Sequence, residues 1–303
     1  MATGWKPDPI DGRDASWDKI LGAIAEAPPP VFTRPVPEYI PFQDNINCCV
    51  WGTAAADQEF SSRQEGNNPK LSFRYGYAKT PGGTGGRGYR ESAQWLKDYG
   101  IPEEQYCAND WTVGANEFLN VAFVGLAGIE NANRYRIKNY SFLTDLSLNN
   151  LKAACFRKPV WIAIPGNNKD WSKDKNEIIV YSGTADWYHS VLLWDWTENY
   201  LGILNWWGDG YRKLSLTYPM AAALSTEDLP DNWKQKNMDY VNIGKEQFLI
   251  FEPWKIAFNL GDEIELARIA HRLPATPRPI ANLDGYFIYP MLEKSRWVDL
   301  LGL

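Results

Sequence analysis

The stretch QDNINCCVWGTAAADQEFSSRQEG, residues 43–66, decides how this chain folds. Its opening residues are polar and follow an extended, proline-bearing run. From Cys48 onward, small and apolar residues recur at helical intervals until Gly66, which suits a C-terminal cap. The spacing predicts a helix beginning at the paired cysteines. Cys49 then lies where extended backbone becomes helix, with its sulfur near first-turn N–H groups that have no partner inside the helix. Those donors and the positive end of the helix favour a thiolate, the nucleophilic form of cysteine.

A thiolate nucleophile needs a base, a group that holds the base in one tautomer, and donors for the oxyanion that forms at the attacked carbonyl. The chain has two histidines, His189 and His271. His189 lies 140 positions after Cys49 and opens the apolar run HSVLLWDW. Asn205 follows sixteen positions later, within GILNWWGDGY. Both runs read as strands joined through Thr197–Asn199, and a hairpin can set the two side chains together at one end of a sheet. Gln43 precedes Cys49 by six positions and is placed to donate its amide beside the sulfur. The candidate catalytic residues are therefore Cys49, His189, Asn205 and Gln43.

Other readings compete at each position. A lone cysteine at a helix start is most often a small buried hydrophobe; the coupled spacings carry Cys49 beyond that. Cys48 is a rival nucleophile, but it breaks the six-residue interval from Gln43. Asp195 is a rival orienter for His189, although six residues along the same strand carries it away from the imidazole. His271, in the charged stretch ELARIAHRL, reads as a surface or interface residue. Residues 83–88 spell Gly-x-Gly-x-x-Gly, but no apolar strand precedes them, so a dinucleotide loop is rejected in favour of a turn. Asn139-Tyr140-Ser141 is a glycosylation triplet in form only. Most of the 15 tryptophans fall in strand-like runs and read as core.

Taken together, these residues resemble the papain (C1-type) family of cysteine peptidases. The family's nucleophile region has a glutamine six positions before the cysteine. Its histidine and asparagine stand sixteen apart, the latter in an Asn-Ser-Trp-Gly-like motif that reads Asn205-Trp206-Trp207-Gly208 here. A separation of about 130–150 residues from cysteine to histidine is usual for such enzymes. GGTGGRGYRESAQWLKDYGIPEEQYC resembles the family's glycine-rich segment and helix, and RYRIKNYSF with LKAACFRKPVWIAI resembles the start of its β lobe. Similarity covers roughly residues 36–218.

The resemblance implies an α+β, two-lobed fold: a helical lobe over about 36–110, an antiparallel β-barrel-like lobe over about 111–225, and a cleft between them. It implies hydrolysis of peptide bonds through a Cys49–His189–Asn205 triad and an acyl-thioester. Trp207 would shield the Asn205–His189 hydrogen bond and, with Gly85, Gly86 and Gly88, would line the substrate-binding site. Three departures stand out: a short segment before the core, Ile46 where a disulfide cysteine is usual, and Val50 directly after the nucleophile. Two alternatives share part of this pattern. One is a peptidoglycan endopeptidase or amidase. The other is a papain-like fold serving as a structural or interaction module in a larger assembly, such as that of a phage.

Composition bounds the rest. The chain has 303 residues, 45% apolar and 22% charged, enough for a sizeable core. A net charge of −6 removes the broad basic footprint of a duplex-binding domain, so no nucleic-acid partner is expected. No run approaches the ~18–20 apolar residues of a membrane span, and no basic-then-apolar leader opens the sequence. Four cysteines without metal-type spacing fit a reducing compartment. A cytoplasmic protein is expected, or a virion-associated one if phage-encoded, with peptide or protein substrates and no cofactor or metal.

Proline-rich residues 1–35, with a helix over Ser16–Ala27, are expected to run along the body outside the cleft. Further helices are expected over Tyr89–Tyr99 and Ser147–Phe156, and strands over Val160–Ile164, Ile178–Tyr181, His189–Trp196 and Tyr200–Trp206. Residues 226–303 read as an extension, with one more strand or docking segment at Phe248–Phe258 and a stiff PATPRP linker at Pro274–Pro279.

Overall fold

The computed structural model describes residues 4–9, 11, 28–43 and 45–229, and beyond them only the backbone of five short strands. The helix expected over Ser16–Ala27 and His271 lie outside the described residues.

Helix α1 (Cys49–Gln64) runs through the middle of the molecule, with all but its last turn buried. Its small residues permit this. A side chain at Gly52 would lie 2.9 Å from the Phe73 ring and 3.0 Å from Trp206. Gly66 ends the helix region at φ +85°, a backbone conformation that favours glycine. Around α1 pack α2 (Phe73–Lys79) and α3 (Tyr89–Asp98). Ser72 caps α2 by accepting the Tyr75 N–H, and Gly100 closes the turn after α3 at φ +68°. Short helices α4 (Ala115–Phe118) and α5 (Gly125–Ala132) complete this lobe.

The second lobe holds β1 (Ile137–Phe142), α6 (Leu148–Arg157), β2 (Val160–Gly166), α7 (Asn168–Trp171), β3 (Ile178–Ile179), β4 (Trp187–Trp196), β5 (Tyr200–Leu204), β6 (Tyr211–Ser215) and β7 (Ala222–Asp228). The seven strands lie in the order β1-β7-β2-β4-β5-β6-β3. The sheet is open, with β1 and β3 at its edges, and does not close into the expected barrel. Strand β3 is short and pairs parallel with β6, leaving nothing to bridge back to β1. One face packs on α1 and α3 through Trp161, Trp206 and Tyr89. The other packs on α6 through Leu151, Cys155, Ile162, Val191 and Trp196. Strand β2, buried on both faces, reads as an unbroken apolar run for that reason. Strand β7 carries this lobe past 225 to Asp228.

A buried ion pair ties the lobes together. Asp57 on α1 meets Lys158 at 3.1 Å and accepts hydrogen bonds from Trp161 Nε1 (3.1 Å) and Thr226 Oγ1 (2.6 Å). Strands β8 (Met238–Ile243), β9 (Glu246–Phe251), β10 (Ile256–Asn259), β11 (Pro277–Pro279) and β12 (Phe287–Ile288) form a separate sheet in the order β11-β8-β9-β10-β12. Two strands thus occupy the region where one was expected, and the end of the expected stiff linker is a strand.

Candidate active site

Cys49 is the first residue of α1, preceded by the non-helical Cys48 at φ −103°. Its Sγ accepts the N–H of Ser190 at 3.3 Å. That N–H, with those of Val50 and Cys49 itself, favours the thiolate, but full burial outweighs them and pushes the thiol up to about 12. Cys48, equally buried, is also pushed well up by desolvation.

Ser190 joins the two lobes at this point. Its Oγ meets Thr53 Oγ1 of α1 at 2.8 Å and the Tyr89 hydroxyl at 2.9 Å, and its carbonyl accepts Trp206 Nε1 at 2.9 Å. The sulfur of α1 is therefore docked beside the strand residue that follows His189.

The pairing of Leu192 with Leu204 places His189 of β4 and Asn205, one residue past β5, at the same end of the sheet. His189 Nε2 and Asn205 Oδ1 are 2.8 Å apart. Trp207 stacks on the imidazole at 3.9 Å with 20° between planes, while Trp171 and Trp187 meet it edge-on. Burial holds the imidazole down at about 4, partly opposed by Asn205 and Asp209. Asp195 lies elsewhere: it accepts the Tyr211 hydroxyl at 2.7 Å and the Arg34 N–H at 3.3 Å. It takes no part in orienting the imidazole.

Gln43 sits at the same corner, its N–H donating to the Trp206 carbonyl. Its side-chain amide donates to the Ile46 carbonyl. To serve an oxyanion beside Cys49, that amide must turn away from Ile46.

The glycine-rich segment forms the opposing edge. Residues Gly82–Gly85 make a turn, closed by the Gly85 N–H to the Gly82 carbonyl at 3.1 Å. The buried Arg87 organises it, donating to Thr80 Oγ1 and to the carbonyls of Tyr77, Gly83 and Gly85, with its guanidinium 4.0 Å from the Tyr77 ring centre. Nothing in the sequence singled out this arginine, because all its hydrogen-bond partners but the Thr80 hydroxyl are main-chain carbonyls.

Residues 4–9 correct the expectation for the N-terminal arm. Trp5 pairs with Arg87 as a β-bridge, through the Lys6 N–H to the Arg87 carbonyl (2.9 Å) and the Arg87 N–H to the Gly4 carbonyl (3.3 Å). A side chain at Gly4 would lie 2.5 Å from Cys49 Sγ, so the arm passes directly over the sulfur. Trp5, 4% exposed, packs against Tyr89 and Tyr188. Asp8 accepts the N–H groups of Tyr89 (2.8 Å) and Arg90 (3.0 Å), supplying a cap that Gly88 cannot provide to α3. The cues for this docking are single residues whose partners lie some eighty positions away. Residues 28–35 lie along the body: Phe32 bridges Trp196, and Arg34 donates to the Cys155 carbonyl at 2.6 Å.

The fold is that of the papain-like cysteine proteases. Xylellain, a cysteine protease from Xylella fastidiosa, superposes with a TM-score of 0.62 at 21% identity, over 75% of this chain and 96% of that one. Bromelain protease from Ananas comosus gives 0.51 at 14% identity, over 66% and 95%. Digestive procathepsin L 3 from Tenebrio molitor larval midgut gives 0.51 at 15%, over 71% and 76%. No protein-family model matches the sequence, and no curated protein does.

Proposed function

We propose that the chain is a cysteine peptidase that cleaves peptide bonds through Cys49, His189 and Asn205. One observation carries this reading. The sulfur at a helix start is held against the residue after a histidine whose Nε2 is fixed by an asparagine under a stacked tryptophan. Pairing through Nε2 leaves Nδ1 to take the thiol proton. The thiolate attacks the substrate carbonyl, and His189 then protonates the leaving amine, giving an acyl-thioester. Water, deprotonated by the same imidazole, releases the acid and restores the thiol. The Cys49 N–H and a reoriented Gln43 amide stabilise the oxyanion; one such donor typically contributes ~10²–10³ in rate.

Substrate lies extended along Gly85–Gly88, the edge that residues 4–8 now occupy. With the arm in place the thiol and imidazole are both dry and neutral, which is a resting form. Lifting the arm readmits water, lowers the thiol pKa, raises that of the imidazole and permits the ion pair. Support comes from the fold it shares with proteases, from the backbone pairing at Arg87 and from the packing of Trp5. The test uses E64, the inhibitor bound by the bromelain protease above. A chain lacking residues 1–9 should take up E64 at Cys49 and cleave denatured protein. Absence of both, in a folded chain, refutes the reading.

A further inference from the structure

We infer that Asp209 is a positioning residue of this site, one that fixes which way round the Asn205 amide stands; the inference rests on the peptidase reading. Asn205 Nδ2 donates to Asp209 Oδ1 at 2.6 Å while Asn205 Oδ1 faces His189 Nε2. An amide turned by 180° would present Nδ2 to the imidazole instead. That would require Nε2 to accept and move the ring proton to Nδ1, where it could take no proton from the thiol. A carboxylate only accepts. The one arrangement that satisfies it directs Nδ2 toward Asp209, Oδ1 toward His189, and the imidazole lone pair to Nδ1.

The loop is built to hold this contact. Gly208 at φ +84° and Gly210 at φ +66° fold the chain after Trp207 back on itself. The Asn205 N–H donates to the Gly210 carbonyl at 2.6 Å and closes the turn. Asp209 is held in its turn by Arg212, whose guanidinium forms an ion pair with Asp209 Oδ2. Arg212 also donates to the Lys173 carbonyl at 3.2 Å and lies 5.6 Å from the Trp171 ring centre. Trp171 itself packs edge-on against His189. A chain of contacts thus runs from the imidazole through Asn205, Asp209, Arg212 and Trp171 back to the imidazole. The charge of Asp209 also opposes the burial that holds the imidazole down.

The experiment places Asp209→Ala and Asp209→Asn in the full-length protein for the ring tautomer and in the Trp5→Ala chain, whose arm opens, for the kinetics. Steady-state kinetics are read alongside the ring tautomer of His189 by 15N-histidine NMR, assigned in a His271→Gln background. Asp209→Ala should lower kcat about tenfold with KM within about twofold, because peptide still binds along the glycine edge. It should also introduce a population with the ring proton on Nδ1. Asp209→Asn, which keeps the shape of the turn and can still accept, should fall between the two and guards against a folding defect in the alanine variant. An active protein whose kcat and tautomer are unmoved in both variants overturns the inference. A Trp5→Ala parent that neither cleaves peptide nor takes up E64, while Asp209→Ala still shifts the tautomer, overturns the peptidase reading and leaves the positioning role standing.

Discussion

The two walls of the cleft are made differently. The α1 wall is a helix start and a glycine edge, with main-chain groups facing inward. It is closed by the chain's own residues 4–8, as Gly4 crosses Cys49 and Trp5 pairs with Arg87. The sheet wall is made of side chains that satisfy one another. His189 is bonded to Asn205, stacked by Trp207 and flanked by Trp171 and Trp187. One wall offers backbone that residues 4–8 pair with and that an extended peptide could use in their place, and the other offers a finished geometry that the peptide need not complete. Under the proposed function, recognition is thereby separated from chemistry, and each wall should fail in its own way when altered.

The largest effect should come from the sulfur. Cys49→Ala removes the proposed nucleophile and should cost about 10⁴-fold or more in kcat, as loss of a nucleophile does in other triads. Cys48→Ala should leave most activity intact. Measuring both with one fluorogenic peptide tests the comparison at its root, since full activity in Cys49→Ala would mean that the α1 wall carries no chemistry.

Next is the join between the walls. Asp57→Ala strands Lys158 and the Trp161 Nε1 of the sheet lobe against an apolar helix. Breaking a buried pair costs about 3–5 kcal/mol. The Lys158 side chain is 13% exposed and can reach water, so the lower end is expected. The denaturation midpoint should fall accordingly, with both lobes unfolding together. An unchanged midpoint would show the lobes to be held by packing alone.

The arm should come third. Burying a large apolar side chain contributes about 1.5–3 kcal/mol, so Trp5→Ala should raise the open fraction and the rate of Cys49 alkylation by about 10–100-fold at neutral pH. The sign follows from the two groups. With the arm closed, burial pushes the thiol up to about 12 and the imidazole down to about 4. At pH 7 both are neutral, and labelling is slow. Opening moves the two toward each other, and a reactive ion pair then exists near neutrality. All four cysteines are buried, so the modified residue must be mapped by mass spectrometry. Equal labelling rates in both proteins would mean that the arm does not gate the sulfur.

The same contrast explains what was legible in the sequence. The position of Cys49 at a helix start and of His189 beside Asn205 could be read because spacing along a helix and a hairpin fixes where residues project. The helix ends at Gly66 and Gly100 could be found because each needs positive φ. Gln43 was placed at the right corner, but its side-chain partner, Ile46, is a local carbonyl that no spacing reveals. The docking of Trp5 and Asp8, the buried Arg87 and the Ser190 junction depend on contacts between distant segments. Strands β6 and β7 were missed because YRKLS and AALSTED alternate too weakly to signal a strand. Their identity comes from partners, β6 from β5 and β7 from β1 and β2.

The smallest effect should lie on the sheet wall, at Trp207. Its ring stacks on the His189 imidazole, beside the proposed Asn205–His189 pair, and is itself 38% exposed. Trp207→Ala would let water compete for that bond, whose net worth is about 0.5–1.5 kcal/mol. A factor of ten in rate corresponds to about 1.4 kcal/mol, so kcat should fall by about twofold to tenfold. KM should be nearly unchanged, because the peptide pairs with the other wall. Trp207→Phe keeps a flat ring over the imidazole and should recover most of the loss. A variant that raised KM and left kcat alone would instead place Trp207 among the groups that hold substrate, and the division of labour between the walls would have to be redrawn.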